Sequence, residues 1–301
     1  MSLREVKKKI RVVENVHQIT SALELISSVK MRKAEKLALQ SRPFTRKVLE
    51  ILLKLQNYQE EFKKTSIYFK ENKSKKNLMV VISSDKGFCG AFNKIILNFA
   101  QSQIDKEKDE IFAVGKKAIR FFRKRNYNVV MEFFGIGDYG EFEEVKPIAD
   151  ILLKSFLEGK YGKIYLFYMD FISPFKRKPR KFLVLPLDWE NLMNLLKDYQ
   201  LRQKKLESFD FKPKVLDYIL EPNATAILEG MVPLLIQYLI YHSILEANAS
   251  EHSARMFAMR EASKNAKEIL ENLKLLYFKE RQNLITNEIL EISAAKEAIL
   301  E

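Results

Sequence analysis

Cysteine occurs once and histidine three times in the 301 residues, so an internal disulfide is excluded and a zinc site would have to come almost wholly from carboxylates. A reduced compartment and no structural metal are expected. Glycine (9) and proline (8) are scarce, which leaves little material for the many tight turns of an all-β sandwich or barrel. Long helices are the first expectation. Long apolar runs are missing as well: the richest, 231–245 (MVPLLIQYLIYHSIL), is shorter than the about 18 residues a membrane span needs and holds Pro, Gln and His. No membrane span is expected. The start, MSLREVKKKIRVVEN, lacks the apolar centre and small-residue cleavage site of a leader, and Glu5 and Glu14 argue against a transit peptide. The expectation is a mature protein made in the cytosol.

What is present is 47% hydrophobic and 30% charged residues, enough apolar material for one or two cores. The formal net charge of +13 is unevenly placed. Residues 1–76 hold 19 Lys and Arg against 8 Asp and Glu, a net +11, whereas 222–301 hold 8 against 11, a net −3. A solvated helix face accounts for such a basic quarter; an acidic protein partner, a phosphate backbone or the acidic final quarter of the same chain would also suit it.

Between Ser2 and Lys86 there is no Gly and only Pro43, while apolar residues recur as Leu3, Val6, Ile10 and Val13, then Leu23 and Ile26, then Ala34 and Leu37. That three-four spacing reads as a coiled-coil seam on a helix over roughly 2–56, interrupted by His17 and Thr20 and kinked or broken near Arg42 by Pro43. After Pro233 neither Gly nor Pro occurs, and a helix from about Asn223 onward would be on the order of 115 Å long. Its small residues, Ala247, Ala249, Ser250, Ser253, Ala254, Ala258 and Ala262, permit close helix approach, so the two terminal helices are expected to pair antiparallel.

Between them strands and helices alternate. Apolar strands are expected at 78–83, 110–115 and 129–134, with helices from Asn93, over 116–125 and over 145–157. Residues 164–173 and 181–187 read as a closing hairpin joined by the basic turn PFKRKPR. The expected architecture is a long antiparallel coiled coil of N- and C-terminal helices with an inserted Rossmann-like α/β domain. Its divisions fall at 1–75 (shaft helix and basic connector), 76–190 (α/β domain), 191–221 (linker) and 222–301 (C-terminal shaft helix).

Candidate chemistry is thin. Gly135-Ile136-Gly137-Asp138-Tyr139-Gly140 fits GxGxxG after a strand and before a helix, as a dinucleotide fingerprint requires. It follows the third strand rather than the first, and EFEEVK places three carboxylates where a pyrophosphate would sit; a glycine-rich turn is the simpler reading. Gly87-Phe88-Cys89-Gly90 lacks the Gly-Lys-Ser/Thr of a phosphate loop, and Cys89 beside Phe88 and Phe92 reads as buried filler. His17, His242 and His252 lie far apart on expected helices and read as interface residues. No catalytic residue, cofactor or metal ligand set emerges, which describes a mechanical or binding component.

Four runs carry more than composition does. REVKKKIRVVENVHQITSALELISSVKMRKAEKLA (4–38), SSDKGFCGAFN (83–93), ASEHSARMFAMREASKNA (249–266) and YFKERQNLITNEILEISAA (277–295) closely resemble the γ subunit of the rotary proton-translocating ATP synthase, in the same order along the chain. The resemblance implies a central rotor stalk of bacterial type, not catalytic by itself, at the cytoplasmic face of the plasma membrane. Its partners would be the α and β subunits, ε and the c-subunit ring, with no nucleic acid and no direct small-molecule substrate. It also implies contacts to β at Arg281 and Gln282, with Thr286, Glu288 and Arg255 in the surrounding transmission region and Lys30, Arg32 and Lys33 on the first helix. The basic start would face an acidic lever of β. Departures from the family pattern are Leu23 for Met, Ser293-Ala294-Ala295 for Ser-Gly-Ala, which should make the tip more helical, and a hairpin around 175–181 that is unusually basic. The Cys pair of redox-controlled chloroplast forms is absent from the sequence. A basic coiled coil that binds nucleic acid is the alternative reading.

Overall fold

The computed structural model describes residues 2–203 and 220–300. Helix α1 (Leu3–Lys54) opens with a reciprocal cap: Ser2 Oγ accepts from the Glu5 amide at 3.3 Å, and Glu5 Oε2 accepts from the Ser2 amide at 3.0 Å. The helix runs through Pro43 without a break, contrary to the expectation from proline alone. Surrounding packing overrides that local preference, since Ser41, Arg42 and Thr45 are all buried. A short helix, α2 (Gln59–Thr65), leads to the central domain.

That domain contains β1 (Asn77–Ile82), α3 (Phe92–Gln101), β2 (Asp109–Val114), α4 (Lys116–Lys124), β3 (Val129–Phe133), α5 (Phe142–Leu157), β4 (Lys163–Ser173), β5 (Lys176–Leu185) and α6 (Trp189–Gln203). The sheet order is β3-β2-β1-β4-β5; the first four strands are parallel and β5 returns antiparallel. Alternate side chains serve two cores, as strands covered on both faces require. Leu78, Val80 and Ile82 join α5, α6 and residues 48–55 and 224–247, while Met79 and Val81 join α3 and α4.

The hairpin differs from its expected form. Lys176 to Lys181 belong to β5 itself, with Met169 opposite Pro179, and the turn shrinks to about Pro174 and Phe175. β5 is an edge strand, where proline's missing amide and basic side chains are tolerated. Residues 191–203, read from sequence as linker, lie in α6; residues 204–219 of that linker fall outside the described residues.

The last element, α7 (Ala224–Leu300), starts at an Asn223 side chain that accepts from the Ala226 amide at 2.8 Å. One stretch of α7 is long and apolar enough to cross a membrane by length and composition. In the fold, Leu228, Val232, Leu235, Ile236, Leu239 and Ile240 of this helix pack into the larger core, the ordinary reason for such a run in a helix that lies against a sheet.

The chain divides into two compact units, one made of the segments before Val29 and after Ala254, the other of Val29–Ala254. In the first, low-numbered residues of α1 meet high-numbered residues of α7, so the helices are antiparallel. Ser21 Oγ lies 2.7 Å from Ser263 Oγ, His17 Nδ1 3.1 Å from the Ser263 carbonyl oxygen, and Arg260 Nε 2.7 Å from Glu24 Oε1. In the second, Phe44 stacks on Tyr238 at 3.8 Å and Arg42 pairs with Glu246 at 3.2 Å, again antiparallel.

The seam keeps the expected Leu3, Val6, Ile10, Val13 and Ala34 and runs on through polar residues between them. On α1 every position of the three-four repeat Leu3, Val6, Ile10, Val13, His17, Thr20, Glu24, Ser27, Met31, Ala34, Ala38, Ser41 and Thr45 is buried or half-buried. His17 and Thr20 are therefore members of the seam rather than interruptions, and Ile26, at 50% exposure, lies outside it.

Candidate functional site

Of the residues that the resemblance implies as partner contacts, Arg281, Gln282, Thr286 and Glu288 lie within about two turns of α7, all exposed. Thr286 Oγ1 donates to the Gln282 carbonyl at 2.9 Å. Every residue from 281 to 293 is exposed, including Leu284, Ile285, Ile289, Leu290 and Ile292, the last at 70%. A helix this apolar and this bare is a surface made for cover. α1 bears a second uncovered stripe, Val12, Val16, Ile19 and Ile26, at helical spacing on a face other than the seam. Arg255, by contrast, is buried, which suits a role inside the helix pair better than direct contact with another subunit.

Lys30, Arg32 and Lys33 belong to the other unit. Arg32 is exposed, Lys30 Nζ lies 2.5 Å from Asp138 Oδ2, and Lys33 Nζ sits 3.8 Å from the centre of the Tyr139 ring. Burial would raise the Asp138 carboxyl, but the hydrogen bond and charge of Lys30, helped by Lys86 and His252, hold it below the usual range. His252 Nε2 lies 3.2 Å from the Asp138 carbonyl oxygen. Asp138, Asn248 and His252 were not legible as a group in the sequence, since the only hint was a glycine-rich motif that suggests other chemistry.

A cavity of about 390 Å³ opens at the carboxyl ends of β1, β2 and β3, where an α/β sheet would bind a nucleotide. Its amides are already taken. Asp85 accepts from the Lys116 and Gly135 amides at 2.8 Å each, and Glu144 Oε2 accepts from the Gly137 and Glu141 amides at 3.2 Å each. Carboxylates of the chain thus occupy the positions a pyrophosphate would need, in keeping with the reading of GxGxxG as a turn. Gly115 is required for close approach instead: at φ +93° its added Cβ would stand 2.2 Å from the Ser83 carbonyl oxygen.

A further buried string joins Ser41, His242, Glu246 and Arg42. Ser41 Oγ lies 2.8 Å from His242 Nδ1, and His242 Nε2 lies 2.9 Å from Glu246 Oε1. These are the residue types of a nucleophile triad. Ser41, however, donates to the Ala38 carbonyl at 2.9 Å inside the helix pair, and Arg42 shares the Glu246 carboxylate. The group holds helices together. Cys89 is buried against Asn93 and Ser84. Among the described residues no group of His, Cys, Asp and Glu could hold a metal ion.

Comparison with known proteins agrees with this architecture. The family model described as ATP synthase matches residues 2–299. The ATP synthase gamma chain of Amoebophilus asiaticus is 32% identical over 304 residues, covering 99% of each chain, and that of Pelotomaculum thermopropionicum is 31% identical, again covering 99% of each. Among solved structures, a chain of the Euglena gracilis mitochondrial ATP synthase, in an assembly of OSCP, F1 and c-ring, superposes with a TM-score of 0.67 at 21% identity, covering 99% of this chain and 94% of that one. A chain of the Tetrahymena thermophila central stalk and c-ring gives 0.58 at 21% identity, covering 81% and 99%. These relationships give no support to the nucleic-acid reading of the basic first quarter. The paired terminal helices, the inserted mixed sheet and full-length likeness to gamma chains lead to one conclusion: the chain belongs to the ATP synthase gamma family and is a non-catalytic central rotor stalk of that membrane-associated enzyme.

Proposed function

We propose that this stalk turns inside a ring of α and β subunits and carries rotation between them and a c-subunit ring, with ε bound alongside, at the cytoplasmic face of a bacterial plasma membrane. The observation that carries this reading is the wholly exposed run 281–293, where apolar side chains alternate with Arg281, Gln282, Thr286 and Glu288. Such a mixed face can touch several partners in turn without adhering strongly to one. Exposed ion pairs contribute about 0 to 1 kcal/mol each, weak enough to slide. An asymmetric shaft makes different contacts with each β subunit and so biases each toward a different nucleotide affinity; rotation then moves that bias from site to site.

In this reading Arg281 and Gln282 touch a β loop, with Thr286 and Glu288 beside them. Arg32 and Lys33 face the acidic lever of β together with Lys30, whose ammonium also holds Asp138. Arg255 acts from within the helix pair. The test is reconstitution of the full chain with α and β subunits, followed by sizing and ATPase assay of the same fractions. Co-elution with stimulated activity is expected, and Arg281→Ala or Gln282→Ala should lower coupled ATP turnover while assembly persists. A chain that elutes alone and leaves activity unchanged would overturn the reading.

A further inference from the structure

The loop of residues 134–140 is the one glycine-rich motif that the stalk role leaves unexplained. On its inner side it is fixed to the sheet, because Asp85 at the end of β1 accepts from the Gly135 amide. On its outer side it meets both long helices. Asp138 takes Lys30 of α1 at 2.5 Å, the Tyr139 ring takes Lys33 of α1 at 3.8 Å, and Asn248 of α7 donates to the Gly137 carbonyl at 3.3 Å. His252 of α7 approaches the Asp138 carbonyl oxygen and lies 3.8 Å from its carboxylate. Gly140, at φ +55°, lets the backbone press against Ile244, whose Cγ2 would stand 3.2 Å from an added Cβ.

The apolar packing thins at this level. The larger core takes buried α1 residues only from Val48 onward and buried α7 residues only as far as Ala247; beyond them lie the small third cluster of Ala34, Phe171 and Ala249 and, at the rim of the second, Ala254, while Ile136 of the loop is half-buried against the larger core. Directed polar contacts take over where non-directional burial gives out, and such contacts resist rotation in a way that burial does not. We propose that residues 134–140 form a torsional clamp fixing α1 and α7 to the α/β domain, with Asp138 as the positioning residue between Lys30 and His252. The clamp rests on the stalk reading, since only a part that transmits torque needs it.

The experiment compares ATP hydrolysis and ATP-driven proton pumping in membrane vesicles that hold the assembled enzyme. Asp138→Asn should lower protons pumped per ATP hydrolysed about two- to fivefold, the range a partly exposed ion pair can carry, with hydrolysis itself unchanged. An unchanged pumping ratio in Asp138→Asn, or a loss of stability with no change in that ratio, overturns the clamp. Amide exchange on the isolated full chain keeps the proposal separate from the stalk reading. There Asp138→Asn should speed exchange about two- to fivefold in residues 134–140 and in the helix turns around Lys30 and His252, whether or not the chain assembles. In the same isolated chain, where no β subunit faces Lys30, the exchanged pair Lys30→Asp with Asp138→Lys should return amide exchange at the loop toward that of the unaltered protein. Unchanged exchange at those turns overturns the clamp even if the enzyme assembles normally.

Discussion

Glu246 is 1% exposed, pairs with Arg42 at 3.2 Å and lies 2.9 Å from His242 Nε2, so a charge that could not stand alone in a helix interface is compensated by the guanidinium with the imidazole beside it. Removing one partner leaves the other charged and buried, which costs about 3 kcal/mol, whereas replacing both by apolar residues is often neutral. Glu246→Ala should therefore lower the unfolding midpoint strongly, and Arg42→Met with Glu246→Leu should restore most of it. Fluorescence of Trp189, the single tryptophan and a member of the same core, reports the transition. Thr20 and Ser27 show why polar seam residues are hard to read from sequence. Each returns its hydroxyl to its own helix, Thr20 to the Val16 carbonyl at 2.8 Å and Ser27 to the Leu23 carbonyl at 2.6 Å. A hydroxyl satisfied in this way can be buried at little cost. Hydrophobicity points to Leu23 and Ile26 instead, of which Leu23 is half-buried beside the seam and Ile26 is exposed.

At the scale of elements, β5 shows what a basic strand achieves at a sheet edge. As an edge strand it offers open backbone to another chain, and the basic residues and proline of 176–181, KRKPRK, discourage pairing there. Lys181 leans over the Tyr165 ring at 4.3 Å, and burial lowers its ammonium below the usual lysine range. Pro179→Val supplies an amide and a β-branched side chain to the open edge, so it should raise self-association of the chain, measured as mean mass by sedimentation at rising concentration. Unchanged mass would place the guard elsewhere. Existence and type of most elements were legible because apolar period and scarce glycine act locally. The end of the hairpin was not. A run of Lys and Arg looks like a turn until a neighbouring strand gives it something to pair with.

At the scale of the molecule, the two compact units differ in what holds them. All three apolar clusters draw on residues between Ala34 and Ala254 among the described residues. The unit before Val29 and after Ala254 buries few large apolar residues, among them Val6, Met256, Met259 and Leu270, and its other covered positions include His17, Thr20, Ser263 and Ala266, each burying little apolar surface. The isolated chain should accordingly melt out of step. Far-UV helix signal should begin to fall at a lower temperature than Trp189 fluorescence, and coincident curves would contradict unequal cohesion.

The sequence by itself determined the two breaker-free terminal helices, the alternation of strands and helices between them, the uneven charge and the ordered motifs of the gamma family. Each depends on residues that are neighbours along the chain or on a pattern repeated within one element. Tertiary structure alone decided which helical stripe became the seam, that β1 lies between β2 and β4, and that Asp138 meets Lys30 from 108 residues away. Those outcomes turn on burial and pairing between distant segments, where a polar residue gains its partner only once the chain has folded.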